Sequence, residues 1–306
     1  MTGAPGPPTN VPSSVWVDTD VALGAGRGDV DDGFALAALL GAARLERILL
    51  LGISTVNGNA PADVAEDCAR ALVEAAGLSV PVVRGGGCAG ATAAAGETIA
   101  ALPAGACLVA IGPLSNVAAA LRADPQIATR VALRVVGGNL SSRGIVPPVW
   151  PHEFNLARDR RAAHAVLAAP WLDLAVYPLD VVRRLRCDAR RLEAISTRGP
   201  TGALLARASR TWLARSRWRH GAGGFPVWDL PPALEAAGCL DVSIEPRRFP
   251  RPQRAFAGIP DPARAAVAFD PAKAWSAFED LLSALSATPS GRDSPARPPS
   301  RERANE

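Results

Sequence analysis

Short apolar runs alternate along the chain with longer segments in which apolar residues recur at the spacing of a helix. The short runs are rich in Val, Ile and Leu, which favours buried strands. They predict strands over residues 15–18, 48–56, 80–83, 107–111, 131–136 and 174–178. The segments between them predict helices over residues 33–43, 61–76, 116–123 and 159–169.

This alternation is typical of an α/β fold in which a mainly parallel sheet is covered by helices on both faces. Because no linker interrupts the pattern, we expect a single domain over residues 15–285. Residues 1–14 are rich in Pro, Gly and Ser, residues 286–306 are polar and rich in Pro, and we expect both to be disordered. Ligands of such sheets bind beyond the carboxyl ends of the strands, so polar residues at those ends are the site candidates.

Composition narrows the classes of function. The five cysteines include no CxxC pair, which argues against a disulfide framework or a thiolate zinc site and favours the cytoplasm. The start lacks a signal-peptide pattern and no apolar run is long enough to span a membrane, so we expect no membrane partner. The net charge is +4, and the arginine-rich stretches 183–191 and 207–219 form no known reader motif, so we expect no nucleic-acid partner.

An acidic cluster follows the first predicted strand and consists of Asp18, Asp20, Asp29, Asp31 and Asp32. Carboxylates this close raise one another's pKa unless a cation lies among them. Oxygen ligands favour a hard ion, Ca²⁺ or Mg²⁺. The alternative is that the aspartates cap the helix that begins near residue 33, where negative charge is favourable. Five carboxylates at one strand end favour the metal over the caps.

Two enzyme classes place Asp-x-Asp after a first strand. VDTDVAL resembles the opening of the haloacid-dehalogenase-like phosphatases, in which the first aspartate attacks phosphorus and the second acts as acid and base with Mg²⁺. Those enzymes also use a cationic residue, usually lysine, and Lys273 is the only lysine of this chain. A Mg²⁺-dependent phosphatase is therefore the weaker of the two interpretations.

The second class is supported by seven motifs that occur in order over about residues 15–240. They are DTD (18–20) followed by DD (31–32), TVNGN (55–59), GPLSN (112–116), VGG (136–138), EFN (153–155) with DRRAA (159–163), PLDVV (178–182) and WDLPP (228–232). With these motifs the chain resembles a divergent member of the inosine-uridine preferring nucleoside hydrolase family. The resemblance implies Ca²⁺-dependent hydrolysis of the N-glycosidic bond of a ribonucleoside or related N-riboside, giving free base and ribose.

The resemblance also implies roles for particular residues. The carboxylates of Asp20, Asp32 and Asp229 and the main-chain carbonyl of Ser115 would bind Ca²⁺. Asp20 would also be the general base that activates the attacking water. The ribose hydroxyls would be held by Asp31, Asn59, Glu153, Asn155 and Asp229. Asp18 would support the metal ligands without binding the metal itself.

The chain departs from the family pattern at the first and last of these motifs. Segment 21–30 is longer than in the family, which makes Asp29 a rival to Asp20 as base or ligand. Trp228 occupies a position where the family often has a histidine that protonates the leaving base. The tryptophan either stacks on the base or belongs to the core, and the candidate acids are then His152, His164 and His220, of which His152 is the best placed.

The part of the family pattern that binds the base and the 5′-hydroxyl is poorly matched. Region 84–107 is short and lacks the loop that helps to cover the base. The asparagine expected at the 5′-hydroxyl is replaced within residues 145–148, and Asn139 is a weak candidate for its place. We therefore expect a small-molecule nucleoside partner whose leaving group differs from that of ordinary inosine or uridine.

Two further questions stay open on the sequence alone. A relative that keeps the metal site but binds a nucleoside or ribose without hydrolysing it is the alternative from a different functional class. The resemblance also implies a homo-oligomer, because the family tends to form dimers and tetramers, but no surface in the sequence identifies an interface.

Overall fold

The computed structural model describes residues 13–86, 93–141, 154–220, 223–251, 254 and 257–286. Within these residues one eight-stranded sheet comprises β1 (Ser13–Thr19), β2 (Ile48–Thr55), β3 (Val82–Arg84), β4 (Cys107–Ala110), β5 (Ala132–Val136), β6 (Asp173–Tyr177), β9 (Ser243–Arg247) and β10 (Ala263–Ala268). Two short strands, β7 (Arg186–Cys187) and β8 (Phe225–Pro226), pair separately and antiparallel.

The strand order of the large sheet is β3-β2-β1-β4-β5-β6-β10-β9. All neighbours are parallel except β9 and β10, which are antiparallel. The chain runs from β1 through β2 to β3 at one edge of the sheet. It then returns to place β4 on the other side of β1, and β5 and β6 follow outward from there. This reversal puts a topological switch point between β1 and β4, which is where open α/β sheets bind their ligands.

Helices cover both faces of the sheet. They are α1 (Asp31–Arg44), α2 (Ala62–Ala75), α3 (Ala93–Ala100), α4 (Ser115–Ala123), α5 (Ile127–Arg130), α6 (Phe154–Arg158), α7 (Arg160–Leu167), α8 (Leu179–Val182), α9 (Ala189–Ser196), α10 (Gly199–His220), α11 (Leu230–Ala236) and α12 (Pro271–Ser286). Among the described residues, none of these helices is long and apolar enough to cross a membrane.

Successive residues of β1 contribute to two different apolar cores, because side chains of a strand alternate between the two faces of its sheet. Val15 and Val17 pack in a core with residues of α1, α2, α11 and α12. Trp16 packs in a second core with residues of α3, α4 and α7. The prediction of an α/β fold with a mainly parallel sheet and helices on both faces is therefore confirmed, and every predicted strand belongs to the sheet.

Helix α1 is the central helix of the first core and is buried over residues 31–42. Its small residues allow close packing: a Cβ on Gly41 would overlap the backbone of Leu281 in α12. A helix held this tightly presents its first two residues, Asp31 and Asp32, in a fixed position next to the end of β1. Strand β1 begins at Ser13, slightly before the predicted start of the domain at residue 15.

Candidate functional site

A buried cluster of carboxylates lies at the switch point of the sheet. Asp20 follows β1 directly, Asp31 and Asp32 begin α1, and Asp229 directly precedes α11. Asp31, Asp32 and Asp229 each offer a carboxylate oxygen, and these three oxygens lie within 4.8 Å of one another. The structure thus brings together an acidic pair from the start of the chain and an aspartate about 200 residues later.

Asp20 lies close to this group and is completely buried. Its Oδ2 accepts a hydrogen bond of 2.5 Å from the backbone N–H of Asn59. Its Oδ1 is buried and has no hydrogen-bond partner among the described residues. Gly58 lies against the same carboxylate, where a Cβ would overlap the Oδ2 atom. A buried acceptor without a donor is costly, and the oxygen is therefore available to a ligand.

Asp32 and Asp31 are held by neighbouring donors. The Thr19 hydroxyl donates to Asp32 Oδ1 at 2.5 Å, and Asn59 Nδ2 donates to Asp32 Oδ2 at 3.5 Å. The backbone N–H of Trp228 donates to Asp31 Oδ2 at 3.1 Å. Residues from β1, the loop after β2 and the turn before α11 therefore orient the acidic pair of α1.

Asp18 lies behind the cluster and is part of a different hydrogen-bond network. Its Oδ1 accepts from the Ser54 hydroxyl at 2.5 Å and from Asn116 Nδ2 at 2.9 Å. Asn116 Nδ2 also donates to the Thr55 carbonyl at 2.9 Å, and Asn116 Oδ1 accepts from the backbone of Gly86 at 3.3 Å. Asp18 and Asn116 thereby tie together the ends of β1, β2 and β3.

Asp29 lies just before α1, whose N-cap position is Val30 and has no side-chain cap. Its Oδ1 accepts from the backbone N–H groups of Val30 at 2.5 Å and Asp31 at 3.3 Å, where α1 begins. A carboxylate near the first N–H groups of a helix is favourable both as a hydrogen-bond acceptor and as a charge.

Burial makes the carboxyl groups of the site difficult to ionise. It raises the pKa of Asp18 to about 7 and that of Asp32 to about 6, although hydrogen bonds to both lower it. Burial and then the charge of Asp32 raise the pKa of Asp20 and of Asp229 well above the usual value. Burial and then the charge of Asp229 do the same for Asp31. A cation among these groups would favour their ionised forms.

The residues present fit a hard divalent cation. Among the described side chains, no lysine, arginine or histidine forms an ion pair with Asp20, Asp31, Asp32 or Asp229. The donors are carboxylate oxygens, which suit Ca²⁺ or Mg²⁺ rather than a thiophilic metal. The buried Oδ1 of Asp20 adds an oxygen that lacks any other described partner.

Other predicted site residues lie around the carboxyl ends of the same strands. Ser115 is the first residue of α4, and its hydroxyl donates to Asp159 Oδ2 at 2.7 Å. Asn155 is buried, and its Nδ2 donates to the carbonyls of Ile111 at 2.8 Å and Val136 at 3.4 Å. Trp228 is partly buried and packs against the core that contains α1.

Some predicted residues are placed elsewhere or fall outside the described part of the chain. Asn139 is buried just after β5. His164 lies on α7, where its ring is close to Gly258. Glu153 and His152 lie outside the described residues, as does the side chain of His220.

The sequence reasoning missed four residues that support the site: Thr19, Gly58, Asn116 and Asp159. All four lie inside the sequence motifs, next to residues that were predicted to form the site. The motifs were therefore the available signal, whereas the partners of these side chains depend on distances across the sheet.

Several known proteins resemble this chain in sequence. The sequence profile of the family described as inosine-uridine preferring nucleoside hydrolase matches residues 15–275. An uncharacterized protein of Schizosaccharomyces pombe is 28% identical over 265 residues, covering 71% of this chain and 83% of that protein. The pyrimidine-specific ribonucleoside hydrolase RihB of Escherichia coli is 29% identical over 153 residues, covering 49% of this chain and 45% of RihB, less than half its length.

Solved structures share the fold at low sequence identity. A plant nucleoside hydrolase, PpNRh1, superimposes with a TM-score of 0.68 at 19% identity, covering 89% of this chain and 99% of that chain. A purine-preferring ribonucleoside hydrolase from Gardnerella vaginalis gives a TM-score of 0.67 at 16% identity, covering 90% of this chain and 99% of that chain. Because the family profile matches most of the sequence, the chain belongs to the inosine-uridine preferring nucleoside hydrolase family, whose members hydrolyse N-glycosyl bonds.

Proposed function

We propose that the protein hydrolyses the N-glycosidic bond of a small ribonucleoside or related N-riboside, with Ca²⁺ bound by Asp20, Asp32, Asp229 and the Ser115 carbonyl. The observation that carries the proposal is the buried carboxylate group at the switch point, which lacks a basic partner among the described side chains. A bound Ca²⁺ supplies positive charge that stabilises the carboxylates and makes an attacking water more acidic.

Asp20 is the general base in this proposal. Its Oδ2 is held by Asn59, whereas its Oδ1 has no described partner and can accept a proton. Asp29 is a weaker candidate, because its Oδ1 already accepts two backbone hydrogen bonds at the start of α1. The contacts of the two side chains therefore favour Asp20 over its rival.

The ribose is bound by Asp31, Asn59, Glu153, Asn155 and Asp229 in this proposal. Cleavage of a glycosidic bond develops positive charge on the sugar ring, and carboxylates around the ring favour that charge. Asn59 donates to both Asp20 and Asp32, so the residue that binds the sugar also orients the base and a metal ligand. Asp18 acts from behind by fixing the end of β1 through Ser54 and Asn116.

The leaving group is the least constrained part of the substrate. The backbone N–H of Trp228 holds Asp31, and its side chain, which is only partly buried, stacks on the base in this proposal. We propose a modified base or another N-linked group as the leaving group, protonated by solvent or by a histidine such as His152.

The four described free cysteines are compatible with a reducing cytoplasm, which we propose as the location.

The test is to incubate the full-length protein with Ca²⁺ and a panel of purine, pyrimidine and modified ribonucleosides and to measure free ribose. Asp20→Asn should lower kcat by about 10²–10⁴-fold, because it removes the general base. Asp29→Asn is the matched control and should stay within a few fold of the wild type, because the amide oxygen of asparagine can accept the same two backbone hydrogen bonds. Addition of EDTA should abolish the activity, and excess Ca²⁺ should restore it.

Two results would change the assignment. If no substrate releases ribose although the protein binds Ca²⁺ and a nucleoside, the chain is the non-catalytic binding relative. If Asp29→Asn is inactive and Asp20→Asn active, Asp29 is the base.

The family match excludes a phosphatase. The residue that would be its nucleophile, Asp18, is also buried, and its Oδ1 is held by two donors.

A further inference from the structure

A second charged cluster surrounds one buried arginine on the face of the sheet that carries α11. Arg134 on β5 is the only basic residue that is buried in the described part of the chain. Its Nε and Nη2 donate to the two carboxylate oxygens of Glu235 on α11, at 2.8 and 3.1 Å. Its Nη2 also lies 3.0 Å from Asp173 Oδ2 at the start of β6. A two-point arginine–carboxylate contact of this kind fixes direction as well as distance.

The charges of this cluster alternate across neighbouring elements. Glu235 pairs with Arg134, Arg134 pairs with Asp173, and Asp173 pairs in turn with Arg264 on β10. The chain of ion pairs therefore connects α11 with β5, β6 and β10. A buried charge that is paired on both sides is satisfied, whereas removal of one partner leaves the other uncompensated.

Helix α11 depends on such outside contacts for its orientation. It has only seven residues, and Pro231 and Pro232 lie in its first turn. A helix this short is marginal by itself and makes few internal hydrogen bonds. Its buried apolar side chains, such as Leu230 and Leu234, pack it against the core, and the two-point contact of Glu235 with Arg134 adds a directional constraint to that packing.

The orientation of α11 matters because the helix begins directly after Asp229, which meets Asp31 and Asp32 in the carboxylate group. Glu235 lies six positions later in the sequence, near the other end of the helix. We propose that Arg134 and Glu235 are positioning residues for this site: their ion pair fixes the rotation of α11 and thereby the place of Asp229 relative to Asp31 and Asp32. This inference rests on the proposed function, in which Asp229 is a Ca²⁺ ligand.

The test compares two double variants of the full-length protein. Arg134→Met with Glu235→Leu replaces the pair by apolar residues of similar size, which often preserves stability where a single change does not. Arg198→Met with Glu279→Leu is the matched control, because its ion pair is also 2.8 Å long but joins the residue before α10 to α12, away from the carboxylate group. Cation affinity is measured by Tb³⁺ luminescence and Ca²⁺ competition, and thermal unfolding is followed in EDTA.

We expect the Arg134/Glu235 double variant to bind Tb³⁺ and Ca²⁺ about 10–100-fold more weakly, as is common when groups behind metal ligands are removed. The control double variant should bind like the wild type at a similar unfolding temperature. Arg134→Lys should give an intermediate affinity, because lysine keeps the charge but loses the two-point contact.

Wild-type affinity in an Arg134/Glu235 double variant would overturn this inference alone and leave the proposed function intact. Absence of Tb³⁺ and Ca²⁺ binding by the wild type would overturn the metal assignment and this inference together. A loss of affinity that equally affects the control would mean that general destabilisation is the cause, which also contradicts a positioning role.

Discussion

At the scale of residues, the site requires a glycine at position 58 as well as its aspartates, because there is no space for a side chain there. Gly58 lies where a Cβ would overlap Asp20 Oδ2. Gly58→Ala should displace that carboxylate and weaken Ca²⁺ binding by about 10-fold or more. Calorimetric titration with Ca²⁺ measures the effect.

The matched control for this glycine is Gly223, where the nearest atom to a Cβ is Arg186 Nε at 3.5 Å, an ordinary contact. Gly223→Ala should therefore leave the affinity unchanged. Equal affinities for the two variants would show that the approach of Gly58 to Asp20 is not required.

The aspartates could be found from the sequence because they stand together or within motifs, but their partners could not. Ser54 and Asn116 meet at Asp18 although they lie 36 and 98 positions away from it. Such contacts depend on the order and register of the strands, which residue spacing does not contain. For the same reason, the sequence alone left Asp20 and Asp29 as rivals, whereas their contacts differ clearly.

At the scale of elements, two helices of equal length allow a matched experiment. Asp159 and Asp188 each cap an eight-residue helix by accepting a hydrogen bond from a backbone N–H in its first turn. Asp159 differs in that its Oδ2 also accepts from Ser115, the proposed carbonyl ligand. Asp188→Ala should lower the free energy of unfolding by about 1 kcal/mol and leave turnover unchanged.

Asp159→Ala should cost about 1 kcal/mol more, because a second hydrogen bond is lost, and should also raise the Ca²⁺ concentration needed for half-maximal activity. Urea unfolding and a Ca²⁺ titration of turnover distinguish the two variants. The Ser115 contact has no influence on the site if both variants respond identically to Ca²⁺.

The pattern of apolar residues predicted all six described strands up to about residue 178, because buried parallel strands are short, continuous apolar runs, but only four of the seven described α-helices in that range. It did not predict α3, whose residues lie in a stretch rich in Ala and Gly. Edge strand β9 was also missed, because it is mostly exposed and contains proline and two charged residues. Elements that bury little apolar surface leave little periodicity in a sequence.

At the scale of the whole molecule, burial of the acidic cluster makes stability depend on pH and on Ca²⁺. The pKa of Asp18 is about 7 in the folded chain, against about 4 in an unfolded one. Between these values the folded state binds more protons than the unfolded state, so stability falls as pH rises. The stability that the protonated groups contribute is fully present below about pH 4 and is lost by about pH 7.

In EDTA the unfolding temperature should therefore be lower at pH 8 than at pH 5, and Ca²⁺ should raise it more at pH 8, where it binds ionised carboxylates. Differential scanning calorimetry at both pH values measures this. Asp18→Asn removes one of the titrating groups and should reduce the pH dependence in EDTA. An unfolding temperature in EDTA that increases from pH 5 to pH 8 contradicts the expectation.

The two described edge strands of the large sheet are poorly suited to pairing with a strand of another molecule. At one edge, β9 contains Pro246, which has no N–H to donate, and Glu245 and Arg247 pair across it at 2.6 Å. At the other edge, β3 has only three residues. Short, charged or proline-containing edges are poor templates for strand addition, which protects a protein from edge-to-edge aggregation. A continuous sheet that runs through two copies of the protein is therefore disfavoured at both described edges.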